Sequence, residues 1–170
     1  MIWAVVLAAG ASSRFGEPKQ RLLLPRVLER VRASTVGDVL VVLGAHPVET
    51  DARVVECPEW ERGPGASLRC GLAALPRECE AAVVLLADGP ELDPRAVDRV
   101  IEAWRTSGAD AVAATYGGVR LHPVLLARAV WGRVPDDGAR SLAAELVACD
   151  DLSPPGDVDT PDQLGAWPRR

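Results

Sequence analysis

The chain alternates short continuous apolar runs with longer segments whose apolar residues recur every three or four positions. Residues 2–6 are the first run, with the length and β-branching of a buried strand, and the strand-like character persists to residue 9. Between 22 and 31, Leu23, Val27, Leu28 and Val31 fall on one helical face. Residues 38–43 and the shorter 53–56 read as two more strands, the second closed by Cys57-Pro58. Gly63, Pro64 and Gly65 form a loop, and a helix over 67–75 follows, stopped by Pro76. Residues 81–87 are wholly apolar, the clearest strand of all, and end on Asp88-Gly89-Pro90. Asp93 caps and Pro94 opens a helix over 94–107. Residues 111–116 read as a strand, 125–134 and 139–148 as helices, and Thr160-Pro161 as the start of a last short helix.

Strands alternating with helices call for a parallel sheet covered on both faces, because parallel strands need crossover connections. At 170 residues, without repeats or low-complexity tracts, one α/β domain over 1–170 accounts for the whole chain. Ligands of such sheets bind at the carboxyl ends of the strands. The loop after the first strand and the turn at Asp88 therefore belong to one edge.

The first of these loops, residues 7–19, carries Gly10, two serines, Arg14, Gly16 and Lys19. Small residues after a buried strand expose backbone N–H groups, and with two cations beside them they suit a polyphosphate. The spacing is neither the ATPase P-loop nor the dinucleotide G-x-G-x-x-G pattern, and by itself it also fits a surface loop with two solvated cations. Asp88, at the end of a buried strand before Gly and Pro, is a placed carboxylate of the kind Mg²⁺ requires. Asp157 and Asp159 flank Val158 and can face one side of an extended segment; acids before a helix N-terminus are the simpler explanation of that pair.

Charge and cysteine usage narrow the classes. A net charge of −5 argues against a nucleic-acid platform, and an acidic chain that handles phosphates needs local cations or divalent metal. The four cysteines, Cys57, Cys70, Cys79 and Cys149, form no C-x-x-C pair and have two histidines for company, which argues against zinc and for reduced thiols. No apolar run has bilayer length, and the first strand begins too early to leave room for a targeting segment, so the expectation is a cytoplasmic protein with no membrane partner.

The string LAAGASSRFGEPK at 7–19 resembles the signature loop of the MobA-like nucleotidyltransferases, L-A-A/G-G-x-S-x-R-x-G-x-x-K. The resemblance implies a Rossmann-like three-layer domain of the nucleotide-diphospho-sugar transferase type. Leu7, Ala8, Ala9, Gly10 and Ser12 would wrap a nucleoside triphosphate while Arg14 and Lys19 hold its phosphates. Asp88-Gly89-Pro90 matches the family's Asp-x-Pro, with Asp88 as metal ligand, although Gly89 stands where Gln or Met is common. GDVDTPDQL resembles D-x-D-T-P-E/D-D-L, which makes Asp159 the second Mg²⁺ ligand and Asp157 its support. GPGASLRCG at 63–71 is similar to G-x-x-x-S-L-R-x-G and assigns Gly65, Ser67 and Gly71 to the base, though Cys57-Pro58 replaces a frequent Asn-Pro upstream.

The Leu-Ala-Ala-Gly form and S-L-R-x-G, together with two further matches, resemble the molybdenum cofactor cytidylyltransferase subgroup. His122-Pro123 resembles G-H-P-V, with Leu121 in place of the glycine, and Gly138-Ala139-Arg140 resembles the end of G-D-x-G-A-R. They make His122, Pro123 and Arg140 acceptor-binding candidates. Between Lys19 and the first helix the chain is several residues shorter than the family's usual connection. The resemblance implies transfer of a nucleoside monophosphate from an NTP, CTP in this subgroup, to a phosphorylated acceptor, molybdopterin, with a molybdoenzyme as possible client. Arg14, Lys19 and Asp88 are the catalytic candidates. A sugar or polyol phosphate acceptor, or a non-catalytic nucleotide-binding accessory protein, remain alternatives.

Overall fold

The computed structural model describes residues 1–11 and 19–157. Three of the sequence's candidates, Ser12, Arg14 and Asp159, lie outside the described residues, as does the helix expected at Thr160-Pro161. Seven strands form one sheet in the order β3-β2-β1-β4-β6-β5-β7. They are β1 (Ile2–Ala8), β2 (Asp38–Leu43), β3 (Arg53–Glu56), β4 (Ala81–Leu86), β5 (Ala111–Tyr116), β6 (Val119–Ala127) and β7 (Glu145–Ala148). The helices are α1 (Lys19–Arg32), α2 (Pro64–Ala73) and α3 (Pro94–Ser107).

β1 pairs in parallel with β2 on one side and β4 on the other, so the strand order reverses at β1. Period-two alternation sends Ile2, Ala4, Val6 and Ala8 into a core with Leu24, Val27 and Val31 of α1 and Val97, Val100 and Ile101 of α3. Trp3 and Val5 enter the opposite core with Leu68 and Leu72 of α2. The three layers follow from strands that are apolar on both faces.

α3 begins as expected, with the Asp93 carboxylate accepting from the Arg95 N–H at 2.9 Å. α1 begins earlier than its apolar periodicity indicated. It takes in Lys19, expected in an exposed loop, and runs through Pro25, which sits on the solvent face while Leu23, Leu24, Val27 and Leu28 are buried. A proline inside a helix removes one hydrogen bond, and here the buried stripe on the opposite face offsets that loss.

Two expected helices are corrected. Residues 125–134 begin inside β6, which runs antiparallel to both β4 and β5, and continue as a 3₁₀ segment, Arg128–Arg133. Val124, Leu125 and Leu126 are buried within the sheet, and so short an apolar run does not distinguish strand from helix by periodicity. Residues 139–148 split into a 3₁₀ turn, Ala139–Ser141, and the edge strand β7, parallel to β5. Gly117 and Gly118, at φ 57° and 79°, turn β5 back into β6, a conformation that side chains with a Cβ resist. The reduced-thiol expectation is corrected too: Cys57 and Cys70 form a disulfide, and Cys79 and Cys149 remain free and buried. Cys57 lies just beyond β3 and Cys70 on α2, a pairing the spacing of the cysteines does not announce.

A cavity at the topological switch point

A cavity of about 410 Å³ opens at the carboxyl ends of β1 and β4, where the strand order reverses. Leu7, Ala9 and Gly10 from the end of β1, Leu86, Ala87 and Asp88 from the end of β4, and Lys19 and Gln20 from α1 form one part of its lining. Trp60, Glu61, Gly63, Pro64 and Ser67 form the rest. The loop after β1 is held by its neighbours. Gln20 Nε2 donates to the Gly10 carbonyl at 2.8 Å, and the Ala45 N–H donates to the Ala9 carbonyl at 3.0 Å. Gln20 is almost fully buried for this purpose, and the sequence reading did not single it out.

Lys19 and Asp88, 69 positions apart, meet at the cavity wall with Nζ to Oδ2 at 3.1 Å. Their side chains are 12% and 26% exposed, so the pair is shielded without being sealed from water. A cation and a carboxylate at one mouth are the chemistry that a phosphate contact and a hard oxygen ligand for a divalent cation call for. Among the described residues no three His, Cys, Asp or Glu side chains cluster as a metal site. One carboxylate supplemented by phosphate oxygens nonetheless fits Mg²⁺, which binds through one or two carboxylates and its substrate's phosphates.

The family-matched glycines divide. Gly65 and Gly71 do not line the cavity. A Cβ on Gly65 would stand 1.7 Å from the Pro135 carbonyl oxygen, and one on Gly71 would stand 2.7 Å from Val42 and 2.8 Å from Val5. Both are small so that α2 can lie against the 135–136 backbone and the sheet. Ser67, buried, and Gly63, with φ at 121°, do line the cavity. Arg69 completes the packing by donating to the Val134 carbonyl at 2.8 Å and to Asp136 at 2.5 Å.

A second cavity of about 320 Å³ lies on the other side of Leu86, lined by Leu85, Leu92, Leu121, His122, Gly89 and residues 154–157. Gly89 explains itself here: a Cβ would be 3.1 Å from Pro155, whose carbonyl accepts from the Glu91 N–H at 2.9 Å. The segment leading to Asp157 is thereby laid against the Asp88 loop. Burial pushes the His122 imidazole down to about 4, with the Asp88 charge opposing and Arg120 assisting, so it is neutral near pH 7. The His122–Pro123 peptide is cis. Arg140 sits apart and exposed on the Ala139–Ser141 turn. That turn is clasped by Arg120, which donates to the Leu142 carbonyl at 2.7 Å and the Ala139 carbonyl at 2.9 Å.

A doubly wound sheet with a charged pair and small residues at its switch point defines an α/β protein whose ligand site lies at the carboxyl ends of its strands. A family model of the MobA-like NTP transferase domain matches residues 4–149, and the chain belongs to that family. Among curated relatives, the bifunctional protein GlmU of Rubrobacter xylanophilus is 31% identical over 125 residues, 65% of this chain and 26% of that protein. The 2-C-methyl-D-erythritol 4-phosphate cytidylyltransferase of Stenotrophomonas maltophilia is 33% identical over 135 residues, 66% of this chain and 56% of that protein. The chain thus spans between a quarter and somewhat over half the length of these relatives. Among solved structures, Rv0371c from Mycobacterium tuberculosis H37Rv superposes with a TM-score of 0.78 at 29% identity, covering 97% of this chain and 96% of that one. A manganese complex of Rv0371c superposes at 0.73 and 26% identity, with 96% of each chain covered. Among the described residues no helix is long and apolar enough to cross a membrane.

Proposed function

We propose that the chain is a nucleotidyltransferase that moves CMP from CTP to the phosphate of molybdopterin and releases pyrophosphate. The observation that carries the reading is the Lys19–Asp88 pair at the wall of a cavity over the switch point. An oxygen of the acceptor phosphate attacks the α-phosphorus, a new P–O bond forms, and the bond to the β-phosphate breaks to free pyrophosphate. The acceptor phosphate is already ionised at neutral pH, so no general base is needed. Charge grows on the leaving pyrophosphate, and Lys19, with Arg14 shortly before it in the sequence, neutralises it. Asp88 and Asp159 would hold Mg²⁺, which supplies charge neutralisation across the phosphate oxygens when bound. In this reading Gly10, Ser12 and Ser67 position the nucleotide, and His122, Pro123 and Arg140 belong to the acceptor side.

A second acceptor has its own support. The similarity to a cytidylyltransferase named for a polyol phosphate favours an acceptor of that class with the same nucleotide. The test is pyrophosphate release measured with each NTP and Mg²⁺, alone and with molybdopterin, a polyol phosphate or a sugar 1-phosphate. Release with CTP that depends on molybdopterin is the expected result. Release that depends on a polyol or sugar phosphate moves the acceptor assignment. Nucleotide binding without turnover on any acceptor leaves a binding protein in place of an enzyme.

A further inference from the structure

We propose that Trp60 is the platform on which the nucleobase stacks, and that Glu61 beside it selects a base carrying an exocyclic amine. The inference rests on the nucleotide-binding reading above and names the residues that recognise the base.

The cavity has two unlike ends. Asp88 and Lys19 mark one, at the end of β4. Trp60 lies at the other, beyond the end of β2, against Gly44. Since β1 lies between β4 and β2, the ends are two strand spacings apart, roughly 10 Å. That is about the reach from a nucleobase to the middle of its triphosphate. Among the described residues, the lining at the Trp60 end is Glu61, Gly63, Pro64 and Ser67, with no cation. A carboxylate without a cation repels phosphate, so the triphosphate belongs at the Lys19 end and the base at the Trp60 end.

The ring is free for this role in a way the other described tryptophans are not. Trp3, Trp104 and Trp131 pack into the two cores, whereas Trp60 belongs to neither and is half-buried at the cavity wall. It is also held in place. Cβ and Cγ of Trp60 would stand 2.6 and 2.7 Å from a Cβ at Gly44, so the indole's base rests directly on that glycine's backbone. The Trp60 carbonyl accepts from the Gly63 N–H at 3.2 Å, and the Cys57–Cys70 disulfide ties the preceding residues to α2. A ring fixed before the ligand arrives gives up little freedom on binding. Aromatic faces stack on any base, so Trp60 alone does not choose among them. Glu61 does: a carboxylate accepts from the 4-amino group of cytosine and repels the 4-oxygen of uracil.

The test is equilibrium binding of CTP, UTP and inorganic tripolyphosphate to the wild-type chain and to Trp60→Ala, Trp60→Leu, Trp60→Phe and Glu61→Gln, with thermal melting as the control for folding. Loss of a base–aromatic stack weakens CTP about ten- to a hundredfold. Trp60→Ala and Trp60→Leu should both show it, because leucine keeps the apolar bulk and lacks the π-face, while Trp60→Phe should stay within a fewfold of wild type. Tripolyphosphate should bind all four variants as it binds wild type. Glu61→Gln should lower the CTP-to-UTP preference several-fold, since an amide presents both a donor and an acceptor. Equal weakening of CTP and tripolyphosphate in Trp60→Leu would mean that the ring merely props the wall, and unchanged CTP affinity in both truncations would end the proposal. Absence of nucleotide binding in wild type overturns the nucleotidyltransferase reading and this inference together. Binding in wild type without these variant effects overturns the inference alone.

Discussion

Across β3, β2, β1 and β4 every pairing is parallel, regular helices cover both faces, and the cavity at the strand ends presents glycine, backbone and an ion pair. Across β6, β5 and β7 an antiparallel strand breaks the pattern; α3 covers one face, and 3₁₀ segments stand on the other in place of a helix. The cavity beside it is lined mostly by leucine, proline and glycine, with a neutral histidine and Asp157 as its polar members. Leu86 lines both cavities, so the charged compartment and the apolar one meet at the end of a single strand. The contrast indicates a division of labour. In the proposed reading, the parallel half would hold the phosphates at its ion pair and the antiparallel half would offer shape and apolar surface to the acceptor.

The strongest way to break that division is to remove charge from the parallel half. Asp88→Ala should lower turnover by about a hundredfold or more, because a metal contact contributes several kcal/mol to the transition state. Pyrophosphate release at limiting Mg²⁺ measures it. Near-normal turnover there would mean that Asp88 serves only as the partner of Lys19 and that the metal ligand lies elsewhere.

The same division explains what could be read from the chain. In the parallel half local pattern and global fold agree: β2 and β3 have the bounds their apolar runs predict, and the ends of β1 and β4 converge by topology alone. Meeting of Lys19 and Asp88 follows from that convergence, although the early start of α1 does not, because Lys19 lies ahead of the apolar stripe that marked the helix. In the antiparallel half the signals compete. Leu125 and Leu126 fit either period, and β7 is a four-residue edge strand whose neighbours decide it. Trp60 and Gln20 escaped because neither belongs to a motif; each matters through a neighbour distant in sequence, Gly44 for one and Gly10 for the other. Gly65 and Gly71 were legible as required glycines, but the close approach they allow is to the chain itself.

A smaller effect is expected from Arg140, on the other side of the comparison. Its turn is fixed by two Arg120 donations to carbonyls, yet its own side chain is exposed, so its charge is available to an anionic acceptor. One charge-assisted contact contributes on the order of 2 kcal/mol, which makes Arg140→Ala raise the acceptor's apparent KM by tens of fold and leave that for CTP nearly unchanged. The two constants are measured separately, each at saturating levels of the other substrate. Equal shifts in both would place Arg140 with the nucleotide or the fold and blur the boundary between the halves.

The smallest expected effect is on stability, and it tests whether the second cavity is as apolar as its lining. Burial holds the folded-state value of His122 at about 4, below its ordinary 6.5, and Arg120 adds to the depression while Asp88 opposes it. Between pH 6.5 and pH 4 the unfolded chain therefore binds a proton that the folded chain refuses. Stability from this group is fully present above pH 6.5 and is lost as the pH falls toward 4. Asp88, on the neighbouring loop, moderates the loss by favouring the imidazolium, and the partial exposure of His122 moderates it further. The net effect is on the order of 1 kcal/mol, a few degrees in Tm. His122→Gln removes the titration while keeping a polar side chain, so melting curves of the two proteins should converge as the pH is lowered from 7 to 4. Wild type should lose more over that interval than the variant does. Parallel curves would mean that the imidazole is hydrated and ordinary in its titration, and that the second cavity is wet enough for a polar acceptor.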